Sequence, residues 1–125
     1  MYVRQIVTRE IEIAKRTYTN PTYHWIEMAH YIILWNFTDE GLKSVQESPK
    51  RAGNFKSMAE KAGCKLIGTY YTMGLYDGVS VIEAPDDATV MKTLLSFESQ
   101  EGSSRTITLK AFTTEETANI LSNLS

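Results

Sequence analysis

The sequence is poor in the residues that build covalent and metal-bound sites. It has one cysteine, Cys64, and two histidines, His24 and His30. A single cysteine excludes an internal disulfide and fits a reducing compartment, so we expect a cytoplasmic protein. No Cys/His cluster has the spacing of metal ligands, and no phosphate loop or dinucleotide-binding fingerprint is present. We therefore predict neither a metal nor a cofactor.

Long apolar runs and an excess of one charge are also missing. The 13 Lys and Arg residues nearly balance the 15 Asp and Glu residues, giving a net charge of -2. A nucleic-acid binder normally carries a basic face, so this balance argues against that class. No segment approaches the roughly 18 apolar residues of a membrane span, and charged residues interrupt the N-terminal region where a signal peptide would lie. We expect no nucleic-acid and no membrane partner.

What the chain does have is enough apolar sequence for one domain. Of its 125 residues, 42% are hydrophobic. The pattern divides near Met28. Residues 1–27 read as an N-terminal leader, loosely attached or a short helix, which we expect to be removable without unfolding the rest. Residues 28–125 hold the recognisable domain. An alternative is that Met28 is the true start.

The first half of that domain reads as a strand followed by a broken helix. Tyr31–Phe37 is rich in strand-forming residues, and Thr38 can cap a short helix after it. Ser48 and Pro49 then restart a helix, with serine as the cap and proline in the first turn. Its predicted inner face consists of Ala52, Phe55, Met58, Ala59 and Ala62.

The second half reads as a hairpin, a helix, a strand and a final helix. The hairpin strands run from Lys65 to Thr72 and onward to Ala84, with Gly74 at the turn. Pro85-Asp86-Asp87 opens the next helix, whose predicted buried stripe is Val90, Met91, Leu94, Leu95 and Phe97. A strand follows from Arg105 to Phe112, and Thr113 and Glu116 form a capping box for the last helix. The order β-α-β-β-α-β predicts an α+β, ferredoxin-like fold with a four-stranded antiparallel sheet and helices on one face.

Strand alternation predicts that both faces of this sheet are apolar. Tyr31, Ile33, Trp35 and Phe37 point one way, and Ile32 and Leu34 the other. In the second strand, alternation opposes Leu66 and Tyr70 to Ile67 and Tyr71. Helices can cover only one face, and a monomer seldom leaves several hundred Å² of apolar surface in water. We therefore predict a homo-oligomer, at least a dimer, formed through the uncovered face.

Several motifs in this region resemble one known family. They are Thr72–Val79, Ile82–Asp87, Asn36–Asp39, Ser48–Ala52 and Arg105-Thr106. Together they resemble the GYD domain family, whose Gly-x-Tyr-Asp signature falls on Gly74, Tyr76 and Asp77. The family is similar to the dimeric α+β barrel proteins, in which two ferredoxin-like units meet sheet to sheet. The resemblance thus implies a fold and a dimer but no reaction.

The signature residues admit two readings. Asp77 could be a general base or polar anchor beside a cavity, with Tyr76 as a hydrogen-bond donor. Alternatively, Asp77 bonds backbone N–H groups of the hairpin while Tyr76 packs. We favour the second reading.

Other candidate residues are polar side chains on strands and at one helix start. The candidate ligand-binding positions are Asn36, Tyr70, Tyr71, Thr72, Arg105, Thr106 and Thr108. The candidate anion site, at the helix restart, consists of Ser48, Lys50 and Arg51.

The leading functional hypothesis is a homo-oligomeric domain that binds a small molecule. One alternative is a cofactor-independent enzyme acting on a small apolar molecule in the barrel cavity, and the other is a purely structural assembly module. A cavity holding an ionisable group with a shifted pKa would favour the enzyme. A cavity filled by aromatic side chains would favour the structural module.

Overall fold

The computed structural model describes residues 28–122 and residue 124. Their elements are β1 (Ala29–Phe37), α1 (Asp39–Lys43), a 3-10 turn (Val45–Glu47), α2 (Ser48–Lys61), β2 (Lys65–Tyr71), β3 (Gly78–Ala84), α3 (Asp87–Glu101), β4 (Ser104–Ala111) and α4 (Thr114–Leu121). Residues Ala29–Ala111 form one compact unit, and α4 belongs to a second. The predicted leader, residues 1–27, lies outside the described residues.

The four strands form one antiparallel sheet in the order β2-β3-β1-β4. β1 lies in the middle, so Ile33 pairs with Ser80 of β3 on one side and with Thr108 of β4 on the other. Strands that are neighbours in the sheet but not in the chain require crossover connections, which α2 and α3 supply. This confirms the predicted α+β, ferredoxin-like architecture.

The core lies between one face of the sheet and the two crossover helices. Ile33 and Ile82 are almost completely buried on that face. Phe55 of α2 and Phe97 of α3 meet edge to face above it, with ring centroids 5.2 Å apart. The buried apolar cluster is completed by Tyr31, Ala59, Cys64, Ala84 and Val90.

Helix ends follow the predicted capping chemistry with one correction. Thr38 accepts a hydrogen bond from the Gly41 N–H at 3.0 Å, and Thr113 and Glu116 form the predicted capping box. The helix is broken before Pro49, as predicted, but Ser48 is not its cap. Ser48 is the first helical residue, and its hydroxyl is bonded to a side chain of β2.

The predicted inner faces of both crossover helices are partly wrong. In α2, Phe55 and Ala59 are buried, but Ala62 lies just past the last turn and is exposed. In α3, Met91 and Leu95 are 65% and 62% exposed. The apolar residues of α3 extend around more than one side of the helix, and only the side carrying Val90, Leu94 and Phe97 meets the core.

The predicted facing of β2 is also wrong, because a bulge interrupts the strand. Leu66 pairs with Ile82, but Gly68 pairs with the adjacent Val81, so Ile67 is an extra residue. Leu66 therefore faces the helices, whereas Tyr70, four residues later, lies on the opposite side beside Val79. Simple alternation places Leu66 and Tyr70 on the same face.

Candidate functional site

A cavity of about 60 Å³ lies between the sheet and the two crossover helices. One water needs roughly 10–15 Å³ of such space, so the cavity admits a small molecule of several heavy atoms. The apolar part of its wall comprises Ile33, Trp35, Phe37, Ala52, Phe55, Leu94 and Phe97. The polar part comprises Ser48, Arg51, Thr69, Tyr71, Ser80, Glu98, Ser103, Ser104 and Thr106.

Three aromatic side chains of the cavity wall contact one another. The indole of Trp35 meets the rings of Phe37 and Tyr71 edge to face, each with centroids 5.4 Å away. Such contacts fix ring positions and give the wall a defined shape. The rings line the cavity without filling it, so the condition that would favour a purely structural module is not met.

Glu98 is the acidic group in the wall. Its Oε2 accepts a hydrogen bond of 2.6 Å from the Ser104 hydroxyl. Its Oε1 is buried, and no donor among the described residues reaches it. Burial raises the pKa of the Glu98 carboxyl, the hydrogen bonds from Ser104 oppose that rise, and the charge of Glu101 adds to it. The carboxyl is thus held at the edge of the core with one oxygen uncompensated.

Five of the remaining polar side chains of the wall are bonded to one another or to groups of α1 and its end. The Ser48 and Tyr71 hydroxyls are 2.8 Å apart, and those of Thr69 and Ser80 are 3.2 Å apart. The Arg51 guanidinium donates to the carbonyl oxygens of Gly41 at 3.2 Å and Ser44 at 3.1 Å, and to the Ser44 hydroxyl at 3.1 Å. Arg51 therefore ties α2 to the end of α1.

The candidate anion residues are separated by the fold. Ser48 and Arg51 line the cavity, whereas Lys50 is exposed. Because the Ser48 hydroxyl meets Tyr71 and Arg51 donates to backbone carbonyls, much of the donor capacity expected at this helix start already has partners within the chain.

The signature aspartate joins the β2–β3 connection to the end of β1. Its carboxylate Oδ2 accepts a 2.9 Å hydrogen bond from the Phe37 N–H. The Asp77 N–H donates to the Asn36 side-chain oxygen at 2.9 Å and to the Trp35 carbonyl at 3.0 Å. Asp77 therefore bonds backbone as the structural reading predicts, although the N–H that its carboxylate accepts lies on β1 and not within the hairpin.

The rest of the signature shapes an exposed loop, residues 72–77. The Thr72 hydroxyl donates to the Tyr76 carbonyl at 2.6 Å, and Gly74 has φ 111°, which favours glycine. At the tip, Met73 is 98% exposed and Leu75 is 81% exposed. The loop thus holds two apolar side chains in water on a base fixed by hydrogen bonds.

Gly78, which follows the signature, leaves room for a side chain of β1 to pack against it. A Cβ at this position would overlap the indole ring of Trp35. The glycine therefore allows the Trp35 ring, which lines the cavity, to lie against the start of β3.

The other predicted ligand-binding residues divide between the two faces of the sheet. Thr106 lines the cavity on the inner side. Tyr70 is exposed on the opposite face, and Arg105, which pairs with Asn36, is exposed too. Thr108 is exposed and takes no part in the cavity.

Glu98 is the residue that the sequence analysis did not single out. A signal was present, because Val90, Leu94 and Glu98 recur at four-residue spacing and so share one side of a helix. A carboxylate on the buried side of an amphipathic helix is unusual unless it has a partner.

A second group of titratable residues lies at the other end of the sheet. The buried Tyr31 hydroxyl donates to Asp87, which also forms a 3.0 Å ion pair with Lys110. Burial and then the Asp87 bond raise the pKa of Tyr31, and the Tyr31 bond lowers the pKa of Asp87. Burial also raises the pKa of the Cys64 thiol, which opposes a nucleophilic role.

Neither a metal site nor a membrane span is found in the described part of the chain. Residues 28–122 bring together no group of three or more His, Cys, Asp or Glu side chains that could hold a metal ion. Among the helices described, none combines the length and the apolar character needed to cross a bilayer.

The sheet order, the two crossover helices and the signature loop define a ferredoxin-like α+β domain with a GYD-type β2–β3 connection. The family model for the GYD domain matches residues 31–121, which is most of the chain. The chain belongs to the GYD domain family.

Two known proteins are similar to this chain. One is the "Glutamine synthetase and cystathionine beta-lyase binding protein" of Thermus thermophilus, 35% identical over 85 residues, which cover 67% of this chain and 88% of that protein. The other is the crystal structure of MtbAldR, with a TM-score of 0.45 and 14% identity over 89% of this chain and 69% of that one.

Proposed function

We propose that this chain is a homo-oligomeric domain that binds a small molecule in the cavity between its sheet and crossover helices. The observation that carries the proposal is the cavity itself, whose wall is largely apolar and includes a few polar side chains, the Glu98 carboxyl among them. An apolar pocket with a few placed polar groups is the usual construction of a small-ligand site.

Native mass spectrometry of the purified full chain tests this proposal. We expect the wild-type chain to retain added small-molecule mass, and Ala52→Leu, which enlarges a side chain of the cavity wall, to retain less. Ala62→Leu makes the same change at the exposed end of α2 and should behave as wild type. Equal occupancy in all three chains, or none in the wild type, would contradict the proposal.

The oligomer is supported by the sheet face opposite the crossover helices. Tyr70 is 58% exposed there, and Ile107 and Leu109 are 48% and 45% exposed. Burying such side chains contributes roughly 25 cal/mol per Å² to association. We expect sedimentation velocity to give a dimer or larger species, and Leu109→Lys to shift it toward monomer. A stable wild-type monomer at micromolar concentration would refute this part.

A second candidate function is binding to other proteins. Its support is the exposed pair Met73 and Leu75 on a loop fixed at its base, together with the name of the Thermus relative. If this chain acts as that name describes, glutamine synthetase and cystathionine beta-lyase from its own organism are the partners to test.

The enzyme alternative would use the same cavity. A carboxyl whose pKa is raised by burial holds its proton to a higher pH than a free carboxyl does and so can act as a general acid, and Glu98 would take that role. Turnover of the retained molecule, lost in Glu98→Gln, would establish it.

A cytoplasmic location remains a prediction from cysteine usage.

A further inference from the structure

The end of β1 carries two rings of the cavity wall, Trp35 and Phe37. Toward β4 the strand pairs as far as Phe37, which lies opposite Ser104. Toward β3 the pairing ends at Trp35, which lies opposite Gly78. There Asp77 supplies two bonds: its N–H donates to the Trp35 carbonyl at 3.0 Å, and its carboxylate accepts from the Phe37 N–H at 2.9 Å. Asp77 therefore fixes the backbone of both ring-bearing residues.

Asp77 also bonds the residue that follows β2, beside a third ring of the wall. Its carbonyl accepts a 2.9 Å hydrogen bond from the Thr72 N–H, and the residue before Thr72 is Tyr71. The Tyr71 ring lines the cavity and meets the Trp35 indole edge to face at 5.4 Å. These three bonds of Asp77 thus go to residues that bear or adjoin the three rings that meet at Trp35.

The helix side of the wall is built without Asp77. Phe55 of α2 and Phe97 of α3 meet edge to face at 5.2 Å, and Ala52 and Leu94 line the cavity from the same two helices. Within the described residues, the hydrogen bonds of Asp77 end on β1 and on the residue after β2. A change at Asp77 should therefore move one side of the cavity while the other side stays in place.

The small volume of the cavity makes its selectivity sensitive to such a movement. A volume of about 60 Å³ holds on the order of four to six heavy atoms, given the 10–15 Å³ that one water requires. In an apolar pocket, one methylene more or less changes recognition by roughly 10–200-fold. Such discrimination requires the wall to be held to within about 0.5 Å by the groups behind it.

From these contacts, and resting on the proposed function, we infer that Asp77 is a positioning residue of the cavity. Asp77 is not part of the wall itself. It holds the side of the wall formed by Trp35, Phe37 and Tyr71, and it thereby sets the largest molecule that the cavity accepts. The signature then serves ligand selection through the shape of the wall, and not through a polar group offered to the ligand.

Two probes of different size test this inference on the full chain. They are benzene, which apolar cavities lined by Leu, Ile and Phe bind, and the larger para-xylene. Titrations are followed by the NMR signals of the Ala52 and Leu94 methyl groups, on the helix side of the wall. The readout is the ratio of the two dissociation constants. Partial unfolding weakens both probes by the same factor, so a loss of stability alone leaves this ratio unchanged.

The variants separate positioning from stability. Asp77→Ala removes the acceptor of the Phe37 N–H, and Asp77→Asn keeps an acceptor at the same reach. Val90→Ala is the matched control, because it destabilises the buried core at a residue outside the cavity wall. Melting curves give the stability of each variant.

We expect the wild-type chain to prefer benzene over para-xylene by at least about tenfold. Asp77→Ala should reduce that preference by at least about fivefold, because the loosened rings give way to the larger probe. Asp77→Asn should keep most of the preference. Val90→Ala should leave it unchanged even as the melting temperature falls.

If Asp77→Ala does not fold, Asn36→Ala takes its place. Asn36 lies outside the cavity wall, and its side chain accepts the Asp77 N–H at 2.9 Å. Its loss weakens the hold of Asp77 on β1 while the bond to the Phe37 N–H remains, so the preference for benzene should fall by at least about twofold.

The outcomes that overturn the inference also separate it from the proposed function. If both probes bind but Asp77→Ala, or Asn36→Ala in its place, keeps the wild-type ratio, the cavity binds ligands and the positioning inference is wrong. An equal change of the ratio in Val90→Ala would also overturn it. If neither probe shifts the methyl signals of the wild-type chain, both the inference and the cavity as a site for apolar ligands are refuted.

Discussion

The signature loop and the Glu98 cavity are built by opposite uses of polar residues. In the loop, Asp77 directs its hydrogen bonds to β1, and the family signature serves to fix a shape. In the cavity, Glu98 keeps one oxygen buried without a described donor. The most recognisable motif of this sequence is therefore engaged in bonds to the backbone and to Asn36, while an acceptor oxygen with no described donor lies at a helix position that no motif marks.

The largest effect is expected where the loop meets the sheet. Gly78→Ala should lower the free energy of unfolding by about 3 kcal/mol, because the new methyl group overlaps the Trp35 ring. Chemical denaturation of Gly78→Ala, Trp35→Leu and the double variant measures the coupling. The penalty of Gly78→Ala should be smaller when residue 35 is leucine. An equal penalty in both backgrounds would show that the ring contact is not its cause.

Asp77→Ala should lower the free energy of unfolding by about 1–3 kcal/mol, because the Phe37 N–H loses its acceptor. Asp77→Asn should cost less, since the amide oxygen keeps an acceptor at the same reach. Asp39→Ala, at an exposed carboxylate in the first turn of α1, should cost less than about 1 kcal/mol. If Asp77→Ala left the free energy of unfolding unchanged or raised it, the structural reading of Asp77 would be wrong and the functional reading would be favoured.

In contrast to the substitutions of Gly78 and Asp77, Glu98→Gln should stabilise the chain. We expect it to raise the melting temperature near neutral pH by about 2–5 °C. The pKa of Glu98 is raised from 4.5, so the folded chain holds this proton more tightly than the unfolded chain does. The stability that the protonated Glu98 carboxyl contributes is fully present below the ordinary pKa of the unfolded chain. It is lost as the pH rises through the raised pKa of the folded chain.

The gap between Glu98→Gln and the wild type should therefore widen from acid to neutral pH. Paired melts across this range, with Glu60→Gln as the exposed control, measure it. A gap that is constant with pH would mean that the Glu98 carboxyl is no more desolvated than a surface one.

The smallest change in stability is expected at the loop tip. The double substitution Met73→Ser and Leu75→Ser should alter the free energy of unfolding by no more than about 0.5 kcal/mol, because both side chains are exposed. If the loop binds proteins, the double variant should lose at least about tenfold in affinity for purified glutamine synthetase or cystathionine beta-lyase in surface plasmon resonance. Leu42→Ser, at another exposed leucine, is the control. Undiminished binding by the double variant would exclude the loop tip as the contact.

Much of the fold could be predicted because local signals agree with one another. The strand from Tyr31, the capping residues Thr38 and Thr113, and the glycine at position 74 all lie where residue chemistry predicted them. These features depend on neighbours in sequence, which a single chain displays.

The errors occur where a distant partner decides the outcome. The bulge in β2 depends on its pairing with β3, and the exposure of Met91 and Leu95 depends on which side of α3 meets the sheet. The cavity was expected from the dimeric barrel, whereas the cavity described here is assembled within one chain. The spacing of Val90, Leu94 and Glu98 places Glu98 on the buried side of α3, but its partner Ser104, six residues later, is brought to it only by the return of the next strand.

The extra residue in β2 has a consequence for how this strand tolerates insertion and deletion during evolution. Ile67 lies outside the regular ladder, so losing it would leave Leu66 opposite Ile82 and Tyr71 opposite Gly78. Losing Thr69 instead would also close the ladder, but it would remove the hydroxyl that lies 3.2 Å from that of Ser80 in the cavity wall. Relatives whose β2 is one residue shorter should therefore align with a gap at position 67.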